Sequence, residues 1–149
     1  MTNEEISLYA TEFRNRVLRG RSSSMMCVAL SAPLMAALDA QGVACELQET
    51  EQYDLFHSFI KLDERLVLDV TADQFNRYGE TSFPPVYLGP PTRFHMPATA
   101  MEYEIPWDKL MHSFKRFTPS LEASQVGDLV YQVLSTLPSE INLFVQGVE

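Results

Sequence analysis

Two short apolar runs divided by a charged break constrain the fold of this chain most. The first is His57-Ser58-Phe59-Ile60-Lys61-Leu62 and the second Leu66-Val67-Leu68-Asp69-Val70-Thr71, with Asp63-Glu64-Arg65 between them. Alternating runs of this length around a polar break predict a β-hairpin. Side chains alternate across a strand, so Ser58, Ile60 and Leu62 share one face and His57, Phe59 and Lys61 the other. With the tip near Glu64, His57 falls opposite or diagonal to Asp69. Directly opposed residues hold their Cβ atoms about 4.5–5.5 Å apart, which sets a carboxylate beside an imidazole.

Upstream of the hairpin the spacing is helical. Thr2-x-x-Glu5 has the form of a capping box. Ile6, Ala10, Phe13 and Val17 then predict a helix from about Asn3 to Leu18, ended by Gly20. After the polar connection Arg21–Ser24, the residues Cys27, Ser31, Leu34 and Leu38 predict a second helix up to Gly42, with Ser23 or Ser24 as its N-cap. Pro33 leaves two readings, because a proline removes a helical hydrogen bond. Either the helix is kinked there with Cys27 in its first turn, or it starts only at Ser31 and Cys27 lies on the preceding loop. Val43 to Glu49 alternates as a strand, and Glu49–Asp54 reads as a turn. The middle of the chain is therefore an α+β arrangement, an antiparallel sheet packed on the central helix that carries Cys27.

Beyond the hairpin the pattern weakens. Ala72 to Pro106 is rich in proline and reads as a long loop, a binding surface or a lid, with a short edge strand around Val86–Leu88. Helical signals return over Trp107–Phe117. Ser120 caps a further apolar stripe from Val126 to Leu137, ended by Pro138, and a last short helix covers Ser139–Val145. These are extra C-terminal helices. With 149 residues, no internal repeat and no linker, residues 1–149 are expected to form a single domain.

The formal charge of −9 argues against nucleic acid, which needs a basic footprint, and against anionic membranes. No apolar run reaches the ~18 residues of a membrane span. The acidic N-terminal segment lacks the regions of a signal peptide, so a cytoplasmic location is expected, or export by a route without a signal. Cys27 and Cys45 form no CxxC and have no histidine at zinc-ligand spacing, so neither a metal nor an organic cofactor is expected.

The chemistry rests on Cys27, His57 and Asp69. A thiol becomes nucleophilic as the thiolate, and either a helix N-terminus or an imidazolium lowers its pKa. Cys27 would attack, His57 would activate it and later give a proton to the leaving group, and Asp69 would orient His57. The oxyanion would take the backbone N–H of Cys27 and a second donor, from the Arg21–Ser24 loop through Ser24 or from Gln74. Cys45 reads as a packing residue, His95 and His112 as surface residues.

The ordered set Cys27-x3-Ser31-x2-Leu34-x3-Leu38, His57-Ser58-Phe59 and Leu68-Asp69-Val70-Thr71 resembles the core of transglutaminase-like proteins, within the wider papain-like cysteine fold. The tail Thr71-Ala72-Asp73-Gln74-Phe75 is similar to small bacterial and phage members. The resemblance covers Gly20 to Phe75. It implies a thioester acyl-enzyme and an amide bond of a protein or peptide as substrate, since members include peptidases, protein-glutamine deamidases, transglutaminases and arylamine acetyltransferases. The sequence departs from the family in lacking Gly-x-Cys at the nucleophile and in placing Pro33 within the helix. The alternative is the same fold with an inert triad, a binding module that holds a protein partner through its Pro-rich segment and acidic surface.

Overall fold

The computed structural model describes residues 1–20, 22–24 and 26–101. The expected C-terminal helices and His112 lie outside the described residues. Helix α1 spans Asn3–Leu18 and begins with the predicted capping box, in which Thr2 and Glu5 each receive the other's backbone N–H at 3.1 Å. Its buried stripe is Ile6, Tyr9, Ala10, Phe13 and Val17.

Helix α2 spans Cys27–Ala40 and contains Pro33. It starts at Cys27, which settles the two readings against a late start at Ser31. Its N-cap is Met26, without a side-chain cap bond, and not Ser23 or Ser24. The Ser23 hydroxyl is used elsewhere, donating to Asp73 Oδ1 at 2.6 Å. A proline inside a helix costs about 3 kcal/mol. Packing offsets this, because Leu30, Leu34, Met35, Ala37 and Leu38 are all buried in the core. A helix apolar nearly all round belongs in the interior.

Among the described residues the sheet has five antiparallel strands in the order β4-β3-β2-β1-β5: β1 Glu46–Gln52, β2 Leu55–Asp63, β3 Leu66–Asp69, β4 Tyr87–Gly89 and β5 Thr99–Ala100. Strand β1 starts three residues later than the alternation suggests. The N–H of Val43 is taken by Leu38 O at 3.0 Å and Gly42 has φ +83°, a helix-ending motif that claims Val43 before the strand can. The strand then runs on into the expected turn as far as Gln52. The true turn is Tyr53-Asp54, both with positive φ, the backbone signature of a two-residue hairpin loop.

The predicted hairpin is β2–β3, with Ile60 opposite Leu68 and an irregularity between Lys61 and Asp63. Continuing this register sets Phe59 opposite Asp69 and leaves His57 diagonal to it. Ile60, Leu68 and Leu47 join α1 and α2 in one core. By alternation, His57, Phe59 and Asp69 point the other way. The stretch expected as loop is organised: a 3-10 helix over Ala72–Tyr78, the edge strand β4, and a 3-10 turn over Arg93–His95. Phe75 meets the edge of His57 and His95 the edge of Phe59, each with ring centroids 4.8 Å apart. The architecture is α+β, helices on one face of an antiparallel sheet and an aromatic layer on the other.

Candidate active site

Three elements meet at His57: the start of α2, the β2–β3 hairpin and the segment just after β3. The His57 ring donates from Nε2 to Asp69 Oδ2 at 2.6 Å. Asp69 ends β3, and its other oxygen accepts the Thr71 N–H at 3.0 Å. That local bond turns the carboxylate back toward the hairpin, a common habit of aspartate at strand ends. Asp69 is fully buried and His57 is 1% exposed.

On the other side of the ring stands Cys27, whose thiol hydrogen-bonds with His57. The sulfur also approaches Phe56 O at 3.9 Å. Cys27 is 9% exposed. Because Nε2 is committed to Asp69, the nitrogen left for the thiol is Nδ1. Gln74 shares that nitrogen, with its Nε2 3.1 Å from Nδ1. A neutral ring accepts there from the Gln74 amide; an imidazolium must donate there, to the sulfur.

Burial alone would push all three ionisable groups toward their neutral forms. For Cys27, burial is outweighed by the hydrogen bond and charge of His57 and by the Ser58 N–H, so the thiol lies below its ordinary range although Asp69 opposes this. For His57, burial is outweighed by the charge and hydrogen bond of Asp69, then by Cys27, and the ring is pushed up to about 10. For Asp69, burial is outweighed by His57 and then His95, which hold it well below the usual carboxylate range. Both shifts run in the direction of a thiolate beside an imidazolium. Cys45, by contrast, is pushed up to about 11 by burial and by the charge of Asp39.

Of the predicted site residues, Cys27, His57, Asp69 and Gln74 come together. Ser24 does not: its backbone N–H is taken by Ser22 Oγ at 3.1 Å, and no described bond links it to the site. His95 corrects the surface assignment. It is 2% exposed and donates from Nε2 to the same Asp69 Oδ2 at 2.8 Å. The signal for it lay in Thr92-Arg93-Phe94-His95. There Thr92 caps the 3-10 turn and its backbone N–H bonds back to His95 Nδ1 at 3.0 Å, a capping box with histidine in place of the usual glutamate.

His57, Asp69 and His95 carry ligand atoms within 4.8 Å of one another, a set whose composition suits a metal ion. His95 Nδ1 lies 3.0 Å from both the Thr92 N–H and the Thr92 hydroxyl. A backbone N–H can only donate, which favours a bare Nδ1 and an Nε2–H directed at Asp69. Comparison with protein-family models, with curated proteins and with solved structures finds no match.

Proposed function

We propose that this chain is a cysteine-dependent hydrolase or acyl transferase, with a papain-like, transglutaminase-like core, acting on an amide bond of a protein or peptide through a thioester. The Cys27 thiolate attacks the amide carbonyl carbon. The C–N bond breaks as His57 Nδ1–H gives its proton to the departing nitrogen, and a thioester remains on Cys27. A water then attacks with His57 Nδ1 taking its proton, the C–S bond breaks, and the acid leaves. Asp69 keeps His57 oriented and balances its charge. As the first residue of α2, Cys27 has a backbone N–H with no intrahelical acceptor, and it can donate to the oxyanion together with the Gln74 amide. Water suffices as acceptor, so a peptidase or glutamine deamidase is favoured over a transglutaminase.

The observation that carries this reading is the placing of the Cys27 thiol and the Asp69 carboxylate on one imidazole, that of His57, with Nε2 2.6 Å from Asp69 Oδ2; in keeping with it the Cys27 thiol is lowered and the Cys45 thiol raised. Iodoacetamide labelling across pH, read by peptide mass spectrometry, tests it. Cys27 should react well below about pH 8 while Cys45 lags. One observation favours the second reading, an inert binding module: His57 and Asp69 are almost wholly covered. Two equally sluggish thiols would decide for that module.

A further inference from the structure

Asp69 Oδ2 is the point where two imidazoles converge. His57 reaches it from β2 at 2.6 Å and His95 from the Arg93–His95 turn at 2.8 Å. A carboxylate oxygen that accepts from two donors divides its charge between them. His95 Nδ1 is engaged by Thr92, whose N–H and hydroxyl each lie 3.0 Å from it, and this leaves Nε2 to donate to Asp69. Its ring is also held by Phe59 edge-on, with centroids 4.8 Å apart, and by Tyr87 stacked at 5.7 Å. So much anchoring of a buried histidine exceeds what filling space requires, since an apolar residue would pack there without a polar atom to satisfy.

We propose that His95 is a positioning residue: through Asp69 Oδ2 it fixes the carboxylate and limits its hold on His57, so that the His57 ring can release its proton to a leaving group. The functional part of this rests on the active-site reading above; the hydrogen-bond part does not. Among the described residues, the ionisable groups around the pair are Cys27 from α2, His95 from its turn and Tyr87 from β4, whose phenol is raised by burial and by the charge of Asp69.

The test separates the two ends of the His95 ring. His95→Gln keeps a side-chain donor near the position of Nε2 and gives up the bond to Thr92. His95→Asn keeps an acceptor near Nδ1 and is too short to reach Asp69. His95→Phe keeps the shape and neither bond. Heteronuclear NMR of the histidine side-chain nitrogens, in full-length protein, follows the His57 Nε2–H proton. It should move downfield in His95→Asn and His95→Phe, as His57 becomes the only imidazole donor to Oδ2 and its bond shortens. It should stay near its wild-type position in His95→Gln. An unmoved His57 resonance in a folded His95→Asn protein, or the same shift in the Gln and Asn variants, overturns the proposal. Should His95→Phe fail to fold, the Gln and Asn pair still decides. A sluggish Cys27 in the wild type, with His57 responding to His95 as described, would remove the enzyme reading and leave the Asp69-mediated link standing.

Discussion

One free cysteine opens α2 and the other stands between α2 and β1, both beside one apolar core, and their surroundings act on them in opposite ways. Cys27 opens the helix, where bare amides and the positive end of the dipole favour an anion. The Ser58 N–H and the His57 ring face it there. Cys45 lies just beyond the other end. Its thiol donates to Met35 O at 3.6 Å, and burial and Asp39 disfavour its thiolate. The residue type is the same, and so is the core. What differs is the polarity of the helix terminus and the sign of the nearest charge, and these favour a thiolate at Cys27 and disfavour one at Cys45.

The largest effect on this contrast should come from Asp69→Asn. Asp69 disfavours the Cys27 thiolate directly, but the hydrogen bond and charge of His57 act more strongly, and His57 depends on Asp69 for its charge. The net result is a raised thiol. Alkylation of Cys27 at neutral pH should fall on the order of a hundredfold, toward the Cys45 rate, with circular dichroism unchanged. An unaltered Cys27 rate would remove Asp69 from the mechanism.

Arg14→Met should come next. Arg14 is buried in α1, paired with both oxygens of Asp73 at 3.0 and 2.8 Å, and it also donates to Val70 O and Pro85 O. Its loss should destabilise the fold by about 3 kcal/mol in urea titration. Because Asp73 adjoins Gln74, the change should alter Cys27 reactivity and spare Cys45.

The pH dependence of stability sharpens the same contrast. His57 is raised in the folded chain from about 6.5 to about 10. The stability it contributes is complete below about pH 6.5 and is lost as the pH rises through about 10. The gap in urea midpoint between the wild type and His57→Gln should therefore be widest at the acid end of that window and close across it. A gap that widens with rising pH would contradict the sign of the shift.

The smallest effect belongs to Gln74→Ala. The Gln74 amide favours a bare Nδ1 on His57, so its removal should move the pH midpoint of Cys27 alkylation downward, a few-fold in rate at most. The Cys45 midpoint should not change. A midpoint that rises would show that Gln74 supports the imidazolium through its oxygen.

Local patterns were legible where one strand or one helix face sufficed to produce them. The capping box at Thr2 and Glu5, the β2–β3 hairpin, and the placing of His57 near Asp69 are all short-range consequences of period and turn chemistry. The start of β1 is hidden in the sequence because Val43 alternates like a strand residue yet closes α2 with its N–H. His95 reads as a surface residue in the sequence because its partner, Asp69, is remote in the chain and no periodicity connects them.

By itself, then, the sequence determined an α+β chain and brought a histidine and a carboxylate to neighbouring places on one hairpin face, since alternation and register act over a few residues. The tertiary structure alone decided that α2 begins at Cys27 despite Pro33, that Gln74 rather than Ser24 reaches His57, and that Asp69 serves two imidazoles. Those outcomes depend on burial and on distances between segments far apart in the chain, where packing outweighs local preference.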